Sequence, residues 1–227
     1  MEHQNILTEE QQNILRMAGT SDKRIESGVL ASSEKKLLDV FEQARLYLTV
    51  RYPDETFAFV ALDTSAPRIN QAQFIVTGTT TGEATFAVKV KYGSDTPGYQ
   101  ISDSHFADLK KADLNQLVEH LLAEMGVTAK ADLQIVGLYD DSYSPVSSLS
   151  ETLQSGKTLS VSGWILVTGD VSLAQFRPAI ESALYRAGLR GGLRMRLVDG
   201  VSLDEAFQAK RTEKAFVTDE IYLSLPE

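Results

Sequence analysis

The stretch Glu83-Ala84-Thr85-Phe86-Ala87-Val88-Lys89-Val90-Lys91-Tyr92 decides the fold class. Ala84, Phe86, Val88 and Val90 fall on one side of an extended chain, and Thr85, Lys89 and Lys91 on the other. A period of two with one apolar and one wet face is the mark of an antiparallel strand. Just upstream, residues 72–79 put Phe74 and Val76 on one face, and Gly78-Thr79-Thr80-Thr81-Gly82 predicts the hairpin turn between the two strands. Phe- and Val-rich residues 56–63 and the shorter run 99–102 complete a set of four strands.

Helices flank this set. Leu37, Leu38, Phe41, Ala44 and Leu48 recur at three- and four-residue spacing, so residues 34–50 read as an amphipathic helix. Tyr52-Pro53-Asp54 stops it, because proline disfavours a helical residue before it. A second helix opens near Asp113, carries the stripe Leu114, Leu117, Val118, Leu121, Leu122 and Met125, and ends at Gly126. Residues 33–128 are therefore expected to form one helix-on-sheet lobe, with residues 127–132 as a junction. Ahead of it, Thr8-Glu9-Glu10-Gln11 is a capping-box pattern leading into Ile14, Leu15 and Met17. Polar residues 20–32 follow. Residues 1–32 thus read as an N-terminal helical arm and linker.

The second half changes rhythm. Strands are expected at 133–139, at 158–168 around the sole tryptophan Trp164, at 193–199 and at 215–225. Between them lie helices opened by Ser148, Ser172 and Ser202. Pro178 predicts a displaced start or a kink in the second of these. The order β-α-β-α-β-α-β makes residues 129–227 a second lobe. The expected fold class is α+β, with two helix-on-sheet lobes, mainly antiparallel sheets and an N-terminal helical arm.

Composition excludes some chemistry. The chain has no cysteine, which removes thiolate zinc sites, cysteine nucleophiles and disulfides. Its net charge of −9 argues against non-specific attraction to nucleic acid or anionic membrane, so no nucleic acid partner is expected. The charge is uneven: residues 157–214 hold nine Lys/Arg against six Asp/Glu, an excess of +3. No apolar run reaches the roughly 20 residues needed to span a bilayer. The amino-terminal residues as given show no basic and apolar leader, which predicts a cytoplasmic protein, with the cell surface as the alternative if a leader has been removed.

Candidate chemical groups are few. Asp103-Ser104-His105 holds the residue types of a hydrolase triad, but a triad is assembled in space and no G-x-S-x-G elbow is present. Asp140 and Asp141 are paired carboxylates without the spacing of a calcium loop. His120 and Glu124, one helical turn apart, could present two metal ligands, although the reading favours a solvated face. No metal and no cofactor is expected. Gly188-Leu189-Arg190-Gly191-Gly192-Leu193-Arg194 resembles an anion cradle, yet it follows a helix where phosphate loops precede one. Gly191 and Gly192 read better as a tight turn. Arg194 and Arg196 share a strand face near Arg186 and Arg190, and these four form the candidate binding patch, suited to an acidic partner.

Two segments carry a family resemblance. Ala44-Arg45-Leu46-Tyr47-Leu48-Thr49-Val50-Arg51-Tyr52-Pro53, followed by Ser102-Asp103-Ser104-His105-Phe106, resembles a helix–Tyr-Pro–meander pattern of small uncharacterised proteins of Gram-positive bacteria, many of them exported or lipid-anchored. The second half, ending its arginine-bearing strand in Val198-Asp199, resembles their companion segment. The resemblance implies an α+β fold and transfers no catalytic residue; this sequence lacks their lipobox cysteine. Together these readings predict a non-enzymatic binding or assembly module whose N-terminal arm packs on a protein partner or a second copy. The alternative is a hydrolase or small-ligand enzyme with a site between the lobes, using Asp103, His105, Asp140 or Asp141.

Overall fold

The computed structural model describes residues 7–63, 70–78, 84–93, 96–209 and 217–226. The fold is α+β, with two four-stranded, mostly antiparallel sheets and helices packed on them. By internal contacts the chain divides into two compact units. One comprises the residues through His105 with 138–145, and the other residues 106–137 with 146 onward.

The first unit begins with α1 (Glu9–Met17), α2 (Asp22–Ser27) and α3 (Ser32–Arg51). A meander of β1 (Phe57–Leu62), β2 (Gln71–Gly78), β3 (Thr85–Gly93) and β4 (Thr96–Asp103) follows, in sheet order β1-β2-β3-β4 with every pair antiparallel. In β3 the alternation holds, with Phe86, Val88 and Val90 buried. The expected hairpin turn between β2 and β3 falls at residues 79–83, outside the described ones. Phe41 of α3 meets Phe59 and Phe74 edge-on, at ring-centroid distances of 4.9 and 6.3 Å. Edge-to-face aromatic packing of this kind adds about 0.5–1.5 kcal/mol per pair to the gain from area burial.

The expected N-terminal arm proves to be part of this core. The Thr8 capping box forms, and α1 lays Ile14 and Leu15, 1% and 0% exposed, against α3 and β1. Gln11 also donates to Glu42 of α3 at 2.9 Å. The segment expected as a linker contains α2, whose Ile25 is buried. One apolar residue in six is too sparse a signal for a period to register.

The second unit contains α4 (His105–Leu109, of which His105 itself groups with the first unit), α5 (Lys111–Glu124), β5 (Thr128–Ile135), α6 (Leu149–Gln154), β6 (Leu159–Thr168), α7 (Leu173–Arg186), β7 (Leu189–Val198), α8 (Leu203–Gln208) and β8 (Val217–Leu225). Sheet order is β5-β6-β7-β8. Only β6 and β7 run parallel, joined by the α7 crossover. Leu133, Ile165, Leu193, Met195 and Leu223 build one buried face. On the other face α8 covers Trp164 and Leu166 through Ala206 and Phe207.

This partition differs from the expected boundary at residue 128. α5 packs on β5, and its Asn115 and Glu119 accept the backbone N–H groups of Leu133 and Ala131 at 2.8 Å each. The expected junction is therefore the first half of β5. That strand stops at Ile135, and Tyr139, which belongs to the first unit, forms an antiparallel bridge to Asp103 within it. Pro178 sits inside α7, whose first residue is Leu173. Gly191 and Gly192 are not a turn but mid-strand in β7. At Gly191, φ is 110° and an added Cβ would lie 2.4 Å from the Val161 carbonyl oxygen. At Gly192 it would strike the Tyr222 hydroxyl, so the missing side chain makes room for that ring.

Because Leu15 is wholly enclosed, Leu15→Ala is expected to lower stability by about 2–5 kcal/mol. Urea denaturation measures this; an unchanged midpoint would contradict the packing of α1.

Candidate functional site

The carboxyl end of α3 delivers Tyr47, Arg51 and Tyr52 to one point, where the end of β4 delivers Asp103. The Arg51 and Asp103 side chains are 4% and 0% exposed, with Nε 3.2 Å from Oδ2. The Tyr47 and Tyr52 hydroxyls donate to the two Asp103 oxygens at 2.8 Å each. Arg51 Nε also donates to the Tyr52 hydroxyl at 3.0 Å. Its two terminal nitrogens donate to the carbonyls of Asp140 and Tyr143, the latter at 2.6 Å. The guanidinium is thus spent on the Tyr52 hydroxyl and two carbonyls with the Asp103 carboxylate beside it, as burial of such a charge requires. A positive charge in the last turn of α3 is also favoured by the helix dipole.

Next to this cluster, His105 is 1% exposed. Its Nε2 lies 2.9 Å from Glu55 Oε1, and its ring stacks on Phe86 at 4.5 Å. Tyr52 joins the two clusters, since its ring meets His105 edge-on at 4.8 Å while its hydroxyl serves Asp103. Asp103 and His105 are therefore near in space as well as in sequence, but each is engaged with protein partners inside the core. Neither is presented to a substrate.

Asp140 and Asp141 stand on the segment that Arg51 holds, and both are exposed. Asp140 Oδ1 accepts from the Ser142 backbone N–H at 3.0 Å, a local turn that swings the chain away from β4. Between this segment and β4 runs a groove of about 500 Å³, lined by Tyr47, Tyr99, Gln100, Ile101, Asp140 and Asp141 among others. Lining residues from both faces of β4 mean that the groove follows the strand's edge. Lys36 donates to the Tyr99 hydroxyl at 2.6 Å, which steadies that ring.

The arginine patch lies in the second unit. Arg190 stacks on Tyr185 at 3.9 Å and donates to its carbonyl at 2.9 Å. Arg196 pairs with Glu220 of β8, and Arg186 donates to Ser182 within α7. Arg194 is exposed and stands in register with Tyr222, itself 56% exposed. Arg190, Arg194 and Arg196 alternate along one face of β7, while Arg186 stands on α7. His120 and Glu124 pair with each other at 3.3 Å on an exposed helix face. Among the described residues, no group of three His, Cys, Asp or Glu is placed to hold a metal ion. None of their helices is long and apolar enough to cross a membrane.

Sequence reasoning missed Arg51 and the two tyrosines. A lone arginine at a helix end looks like dipole compensation, and only the flanking tyrosines hint that it is buried.

The fold and these clusters define an α+β protein of two helix-on-sheet units. No family's sequence profile matches the chain, and no curated protein matches it. A solved structure, a DUF5037 family protein from Ruminococcus gnavus, is similar at 12% identity over 74% of this chain and 78% of that one, with a TM-score of 0.33. A likeness of that size carries no inference about the site.

Burial pushes the Tyr47 and Tyr52 hydroxyls above the ordinary phenol range, and the Asp103 charge adds to the shift. Folding raises both values, so their contribution to stability is whole below about pH 10 and is lost as pH rises beyond it. Above that pH, stability of the native chain should fall more steeply than that of a Tyr47→Phe/Tyr52→Phe variant. Equal alkaline slopes in denaturant titrations would contradict the burial of both hydroxyls.

Proposed function

We propose that the protein is a non-enzymatic binding module that docks an acidic protein surface on the outer face of β7 and β8. The observation that carries this reading is the exposed pair Arg194 and Tyr222, neighbours across two strands. Tyrosine and arginine dominate protein contact sites because each brings large area and directed polar groups at modest entropic cost. Here the Tyr222 ring is accommodated over Gly192, and Arg190 is braced by Tyr185. Residues 157–214, which include β7 but not β8, hold more basic than acidic residues, and on the face itself Arg196 is paired with Glu220. Attraction of a basic patch on a chain of net charge −9 favours one orientation of approach, which suits specificity more than raw affinity.

A hydrolase built on Asp103, His105, Asp140 or Asp141 is the weaker reading. Its two central groups are 0% and 1% exposed and are already bound to Arg51, the tyrosines and Glu55.

Capture from extracts of the native host, with the whole chain as bait, tests the proposal. Arg194→Glu and Tyr222→Ala should each weaken retention of a discrete acidic partner by about tenfold or more. Retention should also fall as salt is raised. A partner held equally by both variants would overturn the assignment of this face.

A further inference from the structure

β4 is the last strand of the first sheet, and among the described residues only Asp103 is paired along its outer edge. In β4 the residues in phase with Asp103 point their N–H and C=O groups away from β3. At Asp103 those groups are taken: its N–H reaches the Tyr139 carbonyl at 3.0 Å, and the Tyr139 N–H reaches the Asp103 carbonyl at 2.7 Å. Ile101 is in the same phase, because it faces Val90 as Asp103 faces Val88. Tyr99 follows at the same spacing and turns its side chain to Lys36 and Asp39 of α3, beside the point where the β3–β4 register shifts between Lys91 and Gly93. The next pair along would join Ile101 to Asp141. The Asp140 turn and the grip of Arg51 on the Asp140 and Tyr143 carbonyls divert the chain before that pair forms. The groove opens along the stretch that is left, with Tyr47, Tyr99 and Ile101 on one side and Gln100 with its cross-strand neighbour Lys91 on the other, so its acidic end is the one at Asp140 and Asp141.

We propose that this stretch of β4 takes an extended peptide as a fifth strand, antiparallel to β4 and bearing positive charge at its amino-terminal end. Backbone pairing to Ile101 and Tyr99 supplies attraction, and alternate side chains supply selectivity. Residues opposite Ile101 and Tyr99 are apolar, since they meet those side chains and the Tyr47 ring; the one opposite Gln100 is polar. Polarity follows from charge. An antiparallel strand begins where Tyr139 ends, so its amino terminus and first side chain lie beside Asp140 and Asp141. A parallel strand would bring a carboxylate there instead. The surface is separate from the Arg194–Tyr222 face, and the two proposals stand or fall independently.

The test uses the isotope-labelled whole chain and the synthetic peptide Lys-Val-Thr-Val-Thr with an amidated carboxyl end. It should slow hydrogen exchange at the Ile101 and Tyr99 amides by about tenfold or more. The same peptide with Glu in place of Lys, and the reversed sequence, should bind at least about tenfold more weakly. Asp141→Lys should produce the same loss for the lysine peptide. Ile101→Pro removes the outward donor while sparing the β3 bonds, a substitution that an edge strand tolerates. It should abolish binding, with a thermal melt confirming that the sheet is intact. Should Ile101→Pro unfold the chain, the Asp141→Lys result decides. Unprotected amides, or equal affinity for the lysine and glutamate peptides, would overturn the proposal. So would protection that appears without peptide and grows with protein concentration, since that assigns the edge to a second copy of this chain.

Discussion

Burial of the Arg51 guanidinium against the Asp103 carboxylate is the interaction on which the first unit depends. Removing two such ions from water costs several kcal/mol each, and their attraction repays it only when every remaining donor and acceptor is satisfied. That condition dictates the surroundings. Two tyrosine hydroxyls fill the carboxylate, and two backbone carbonyls fill the guanidinium. The carbonyls belong to residues 140 and 143, so solvating one arginine also positions a distant segment of chain. From that follow the Asp103–Tyr139 bridge, the diversion at Asp140 and the groove beside β4.

The two sheets treat their edges differently. In the second unit, Asn115 and Glu119 of α5 accept N–H groups of β5, and Glu181 of α7 accepts the Ser224 N–H of β8. Side-chain acceptors blunt both edges, and a sheet so protected does not invite another strand. In the first sheet, the bridge at Asp103 covers one pair on β4 and then departs.

What the sequence made legible is what periodicity encodes. Val88 and Val90 alternate with Lys89 and Lys91 because one face is buried, and that alone identifies β3. Capping boxes at Thr8, Ser148 and Ser202 marked helix starts because their pattern is local. The N-terminal helix was legible as a helix but not as core, since periodicity says that a face is buried and not against what. Likewise α5 showed its stripe without showing that its sheet lay downstream. Gly191-Gly192 misled because glycine serves turns and close strand approach alike, and only Tyr222, thirty residues on, distinguishes them. At the site, Asp103 and His105 stood out as residue types. Their partners Arg51 and Glu55 lie fifty residues earlier, and no local pattern links a charge to its counter-charge across that distance.

A double-mutant cycle with Arg51→Met and Asp103→Asn tests the account most directly. Each single change strands the other buried charge, whereas the pair removes both. The account predicts that the double variant is more stable than the sum of the single losses by about 1–3 kcal/mol in denaturant titrations. Additive losses, agreeing within about 0.5 kcal/mol, would contradict it.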